Sequence, residues 1–137
     1  GLQASAGYTW LSTQILSVDG LGATAPPPFT VGDPLIRRPR HQGSLELRYT
    51  GRRVSAFSLL TTRGRMLDLE PNYGSFGGLF FTPGYAVLDV GAAVPLRRGL
   101  ELFGRVGNAA SRRYEETLGY PALGRTVLAG VRVAASF

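Results

Sequence analysis

Apolar and polar side chains alternate along several stretches of this chain. In residues 125–137 every second position carries a small, β-branched or aromatic apolar residue: Val127, Ala129, Val131, Val133, Ala135 and Phe137. A period of two predicts a β-strand with one apolar face. A membrane-crossing strand needs roughly 9–11 residues at a tilt, and this stretch is long enough.

Five more strands are predicted upstream, at 4–17, 41–50, 54–65, 84–95 and 100–107. The second shows the pattern well, since Leu45, Leu47 and Tyr49 alternate with Glu46 and Arg48. In the first, Tyr8 and Trp10 are candidates for an aromatic belt at a membrane interface, and the pattern leaves their facing open.

The predicted connections alternate in length. Residues 51–53 and 96–99 are short turns, whereas 18–40, 66–83 and 108–124 are long segments rich in Gly and Pro. Short turns at one end of the strands and long loops at the other are typical of outer-membrane barrels. No apolar run approaches the length of a transmembrane helix. The pattern therefore predicts an all-β fold, an antiparallel transmembrane β-barrel segment of about six up-and-down strands with short periplasmic turns and long extracellular loops.

The C-terminal stretch GRVGNAASRRYEETLGYPALGRTVLAGVRVAASF resembles the end of TonB-dependent outer-membrane receptors. That family has an N-L-x-D-x-x-Y stretch, a G-Y-x-x-x-G-R stretch and a terminal aromatic. Ala109 and Ser111 stand where that family commonly has Leu and Asp. A second stretch, PLIRRPRHQGSLELRY at 34–49, resembles the siderophore and cobalamin branch. The matching positions are Asn108, Tyr114, Gly119, Tyr120, Gly124, Arg125 and Phe137.

The resemblance implies a receptor in the outer membrane of a Gram-negative bacterium that takes up a scarce chelate such as ferric siderophore or cobalamin, without a cofactor. The family's plug and TonB box are not in these residues, so 1–137 is expected to be the C-terminal portion of a barrel. TonB would act through that plug. The implied assembly signal, read by the barrel-assembly machinery, comprises Phe137, Val133 and Val131.

Two other function classes stay open at this stage. One is a passive porin or surface adhesin without energy coupling, and the other is an outer-membrane barrel enzyme. No catalytic residues are predicted, because His41 is the single histidine and no nucleophile elbow is present. No metal site is predicted either, since the chain has no Cys and no carboxylates gather near His41. Glu115–Glu116 and Asp68–Glu70 are interpreted as solvated loop charges.

Charge changes this picture little. All fifteen basic residues are Arg against nine acids, which gives a net charge of +6, but they form no stripe on one element and do not predict nucleic-acid binding. Opposite charges on the predicted lumen face could pair across neighbouring strands. These are Glu46, Arg48, Asp89, Glu101, Arg105 and Arg132.

External arginines and aromatics supply the remaining candidates. Arginine suits bidentate phosphate contacts, so lipopolysaccharide is an expected partner alongside outer-membrane lipid, through Arg37, Arg38, Arg112 and Arg113. In the Gly-rich segment 66–83, Tyr73 and Phe76 are the ligand-binding candidates. Phe80 and Phe81 are expected at the membrane interface.

Overall fold

The computed structural model describes residues 1–22, 28–69 and 78–134. Within these residues the fold is all-β and antiparallel. The described residues include no helix long and apolar enough to cross a membrane. The described ranges contain ten strands: β1 Leu2–Trp10, β2 His41–Thr50, β3 Ser55–Arg63, β4 Met66–Leu69, β5 Leu79–Thr82, β6 Tyr85–Arg97, β7 Leu100–Gly107, β8 Glu115–Thr117, β9 Tyr120–Pro121 and β10 Thr126–Val133.

Six strands form one up-and-down sheet in the order β1-β2-β3-β6-β7-β10. The register aligns apolar residues on one face, as in the row formed by Leu45, Leu60 and Leu88. Tyr8 and Trp10 lie opposite Gly43 and His41, which places both on this apolar, lipid-facing side. The opposite face carries the charged residues and faces the lumen. The predicted fold class is confirmed.

The sheet's strands are joined at one end by tight turns. Gly51 N–H donates to the Val54 carbonyl oxygen over 2.9 Å, and Gly99 has a φ of 71°, a conformation that glycine adopts without strain. The long connections lie at the other end. These are the periplasmic and extracellular ends that the alternation of loop lengths predicts.

Two of the long connections contain extra hairpins, so the prediction of uninterrupted loops at 66–83 and 108–124 was wrong. β4 pairs with β5, and β8 pairs with β9. Met66 and Leu67 of β4 are buried, as is Pro39, whereas the lipid-facing side chains of the large sheet are largely exposed. Burial against neighbouring loops explains why this short hairpin forms.

The first strand is also shorter than predicted, since β1 ends at Trp10 and not at residue 17. The opposing segment contains Pro34 and Pro39, which have no N–H to donate to a ladder. Among the described residues, three separate backbone bonds link the two segments beyond Trp10. Leu11 N–H donates to the Arg40 carbonyl, Ile15 N–H to the Asp33 carbonyl and Gly32 N–H to the Ile15 carbonyl.

Two phenylalanine rings on the lumen face cover glycines of the neighbouring strand. The Phe57 ring occupies the space where a Cβ on Gly91 would lie. A Cβ on Gly130 would come within 2.7 Å of Phe103 Cζ. Each ring is in turn covered by an arginine, since the guanidinium carbons of Arg105 and Arg132 lie 6.0 and 5.5 Å from the ring centroids of Phe57 and Phe103.

The predicted charge pairing on the lumen face is present. Arg105 Nη2 donates to Asp89 Oδ2 over 2.6 Å between β7 and β6. Arg132 pairs with Glu101, the residue opposite it in the register of β10 and β7. Arg48 pairs with Glu46 along the same strand. All three pairs are partly exposed, so each contributes about 0–1 kcal/mol to stability.

Candidate functional site

A concavity of about 650 Å³ lies on the lumen face, below the last external connection. We call it the lumen concavity. Strands β3, β6 and β7 supply its floor with Arg63, Tyr85, Asp89 and Arg105, all on the lumen-facing rows. The last connection supplies its upper wall, which includes Tyr114, Glu116, Tyr120 and Leu123.

Aromatic rings dominate one side of the lumen concavity. The Tyr85 and Tyr114 ring centroids are 4.2 Å apart, and the Arg63 guanidinium lies 5.9 Å from the Tyr85 centroid. Tyr120 also lines the concavity, with 66% of its surface exposed. Two arginines and two carboxylates line the concavity, so their formal charges balance. Stacking and phenolic hydrogen bonds are therefore the recognition chemistry that it offers.

Asn108 ties together the two ends of the last connection. Its side-chain Nδ2 donates to the carbonyl oxygens of Arg112 and Leu123, at 2.8 and 3.3 Å, and its Oδ1 accepts from Arg112 N–H at 2.8 Å. Its own N–H donates to Asp89 Oδ1 over 2.9 Å. Asn108 is 5% exposed and has a φ of 49°, which asparagine tolerates better than most residues.

Asp68 joins three external segments and is fully buried. Its Oδ1 accepts from Arg37 Nε and from Leu69 N–H, both at 2.8 Å, and its Oδ2 accepts from Leu118 N–H at 2.8 Å. Arg37 N–H also donates to the Leu67 carbonyl at 2.7 Å. We call Asp68, Arg37 and Leu118 the loop latch, because each lies on a different long connection.

The loop latch holds a charged carboxylate in a buried position. Burial raises the pKa of Asp68, but the hydrogen bonds from Leu118 N–H, Leu69 N–H and the Arg37 guanidinium lower it by more. The pKa of Asp68 therefore lies below its usual value, and the carboxylate stays ionised at neutral pH. The interpretation of Asp68 as a solvated loop charge was wrong. Arg37 Nε is bonded to Asp68 while half of the Arg37 side chain stays exposed, so its contact with lipopolysaccharide phosphate stays a prediction.

The structure brings together part of the family motif. Asn108, Tyr114, Tyr120 and Gly124 line the lumen concavity. Gly119, with a φ of 83°, makes the turn between β8 and β9, and its N–H donates to Glu115 Oε2. Arg125 is exposed just before β10, outside the concavity.

The other predicted residues lie elsewhere. Val131 and Val133 are exposed on the lipid-facing row of β10. Tyr73, Phe76, Glu70 and Phe137 fall outside the described residues. Arg63 and Tyr85 were missed by the sequence reasoning, although both follow the period of two on the lumen face. Among the described residues no three His, Cys, Asp or Glu side chains gather as metal ligands.

An antiparallel sheet with a lipid-facing apolar row, a charged lumen row and loops of alternating length is the wall of an outer-membrane β-barrel. The family model for the TonB-dependent receptor-like β-barrel matches residues 1–109. The chain therefore belongs to the TonB-dependent receptor family, and its place is the outer membrane of a Gram-negative bacterium. No curated protein sequence matches the chain.

Solved receptor structures share this fold. The ferric-catecholate import receptor Fiu from E. coli K12 is 24% identical, with a TM-score of 0.76 over 96% of this chain and 18% of its own. The siderophore receptor PiuA from Acinetobacter baumannii is 16% identical, with a TM-score of 0.80 over 96% and 19%. The ferripyoverdine receptor of Pseudomonas aeruginosa is 18% identical, with a TM-score of 0.71 over 97% and 17%. The chain spans less than a fifth of each.

Proposed function

We propose that residues 1–137 form the C-terminal part of the barrel of a TonB-dependent receptor that takes up a ferric siderophore. Family membership supports the receptor class. The similar structures are receptors for ferric catecholates, a siderophore and ferripyoverdine, which favours an iron chelate over cobalamin as the ligand. The proposed path for the chelate runs along the lumen face, past the lumen concavity.

The observation that carries this proposal is the group of three tyrosines in the lumen concavity. Tyr85, Tyr114 and Tyr120 all line this charge-balanced space. Siderophores offer planar groups and oxygen atoms, which suit stacking and phenolic hydrogen bonds. Tyr120 is the most accessible of the three, and we propose that it contacts the chelate first. Tyr73 and Phe76 remain predictions for the same role.

The passive alternative is a porin or adhesin that needs no energy input. Family membership favours the energy-coupled receptor, in which TonB acts through a plug domain. The two functions differ in one measurable property, because a passive pore would admit its solute equally well in cells without TonB.

Binding and uptake of radiolabelled ferric catecholates, hydroxamates and citrate by cells that carry the full receptor would test the proposal. Cobalamin serves as the comparison ligand. Tyr120→Ala should weaken binding of the transported chelate about two- to tenfold, which is the range for one aromatic contact. Tyr120→Phe should retain most of the stacking. Tyr49→Ala, at the periplasmic end of the lipid face, is the matched control.

Unchanged affinity in Tyr120→Ala, with normal receptor levels, would remove Tyr120 from the site. Uptake that persists without TonB would support the passive alternative. Receptor-dependent uptake of cobalamin, with none of any iron chelate, would overturn the ligand class.

A further inference from the structure

A second concavity, of about 540 Å³, lies at the extracellular rim between the first long connection and the β4–β5 hairpin. We call it the rim groove. Its lining includes Arg38, Arg40, Arg65, His41 and Phe81. Asp and Glu are absent from its lining in the described part of the chain. The rim groove is therefore a cationic site, unlike the charge-balanced lumen concavity.

The rim groove adjoins the lipid-facing side of the sheet. His41 lines the groove, and its Nδ1 is 2.7 Å from the hydroxyl of Tyr8. Arg40 also lines it, and its guanidinium lies 5.9 Å from the Trp10 ring centroid. Tyr8 and Trp10 belong to the lipid-facing row and are 69% and 58% exposed. Tyr and Trp in such positions mark the level of the lipid headgroups.

The arginines of the rim groove differ from Arg37, whose guanidinium is held by Asp68. Among the described residues, Arg38, Arg40 and Arg65 form no ion pair with a carboxylate. The Arg38 guanidinium is 3.4 Å from the Arg37 carbonyl oxygen, and that of Arg65 lies 4.9 Å from the Phe81 ring centroid. A concavity lined by cations and by no described carboxylate attracts anions into it.

We propose that the rim groove binds a phosphate group on a lipid headgroup of the outer leaflet. The planar guanidinium matches two phosphate oxygens at once, so three arginines can hold one phosphorylated sugar headgroup. The acyl chains would then run along the apolar row below, beside Ala6 and Leu45. Of the arginines predicted to contact lipopolysaccharide, Arg38 lines the rim groove, and Arg40 and Arg65 join it there. Arg37, Arg112 and Arg113 do not line the groove, and their contact with lipopolysaccharide stays a prediction.

The proposal predicts selective retention of phosphorylated lipid. The full receptor, purified in mild detergent, would be incubated with lipid A, with dephosphorylated lipid A or with inorganic phosphate. Bound lipid would be counted by native mass spectrometry. The variant Arg38→Gln/Arg40→Gln/Arg65→Gln should retain about tenfold less lipid A than wild type, as expected for the loss of charge-assisted bonds. The matched control, Arg52→Gln/Arg53→Gln/Arg98→Gln, removes the same charge from the periplasmic turns and should retain it normally.

Equal loss of lipid A in both triple variants would overturn the proposal, because it would show a general effect of charge. Equal binding of dephosphorylated lipid A by wild type would also overturn it. Displacement of lipid A by millimolar inorganic phosphate would mean that the groove takes free anions instead. If the first triple variant does not assemble, the single variant Arg38→Gln carries the test, since Arg38 is exposed. Chelate uptake should be unchanged in all these variants.

Discussion

Replacing Asp68 with alanine should release the loop latch without unfolding the barrel wall. The change removes the acceptor for Arg37 Nε, Leu69 N–H and Leu118 N–H, each now bonded at 2.8 Å. The Arg37 side chain is half exposed and can be rehydrated. The two backbone N–H groups cost about 1–3 kcal/mol each when they lose their partner, and removal of the buried charge offsets part of this.

We expect Asp68→Ala to destabilise the closed arrangement of the loops by about 3 kcal/mol. The equilibrium constant for loop opening should then increase roughly a hundredfold. Hydrogen–deuterium exchange of the full receptor reports this directly. In Asp68→Ala, the peptide that contains Leu118 should exchange roughly a hundredfold faster, whereas the β2 and β7 peptides should not change. Asp68→Asn keeps an oxygen for Arg37 and Leu69 but places an amino group against Leu118 N–H, so its effect should be intermediate.

Asp33→Ala is the matched control, because among the described residues the Asp33 carboxylate accepts hydrogen bonds only from Thr30, within its own loop. The pH dependence gives a second check. Because the pKa of Asp68 is lowered in the folded state, its contribution is present above the pKa of an unfolded Asp and is lost as the pH falls through the folded pKa. Exchange at Leu118 should be steady from neutral pH to about pH 5 after correction for intrinsic rates. Unchanged exchange at Leu118 in Asp68→Ala would refute the latch.

Two further predictions concern the last connection and the terminal strand. Asn108→Ala should destabilise the receptor in detergent by about 1 kcal/mol more than Asn108→Gly does. Both variants lose the side-chain hydrogen bonds, but only alanine is strained at a φ of 49°. Equal melting temperatures of the two variants would contradict this. We propose that Phe137 belongs to an assembly signal. Its deletion should reduce heat-modifiable, folded receptor in the outer membrane far more than it changes chelate affinity, and Phe137→Tyr should assemble normally. Normal folded levels after the deletion would mean that Phe137 carries no such signal.

Strand bounds were predictable wherever alternation is bounded by turn residues. The second strand was predicted at 41–50 and is found at His41–Thr50, because Leu45, Leu47 and Tyr49 alternate with charges up to the turn at Gly51. The β4–β5 hairpin was not predictable in this way. Its strands have only four residues each, too few to show a clear alternation. Most of the residues between them are Gly, Pro, Asn or Ser, which are typical of loops.

The candidate site was predictable only in part, because its partners are distant in sequence. The family motif led to Asn108 and Tyr114, which lie at the lumen concavity. Asp68 was missed because its carboxylate accepts from Leu118 N–H, fifty residues away. A backbone donor has no side-chain signature, so a pattern of residue types cannot reveal such a partner.

The phenylalanine rings that cover Gly91 and Gly130 also restrict how neighbouring strands can be aligned. A slip of two residues between β3 and β6 keeps every side chain on its face but sets Phe57 against Asp89 or Ala93. The same slip between β7 and β10 sets Phe103 against Leu128 or Arg132. Each of these residues has a Cβ where the ring must lie. A two-residue slip is therefore compatible with the alternation of side chains but not with the packing of the rings. The packing of these rings against glycine therefore favours one alignment of the neighbouring strands over alignments shifted by two residues.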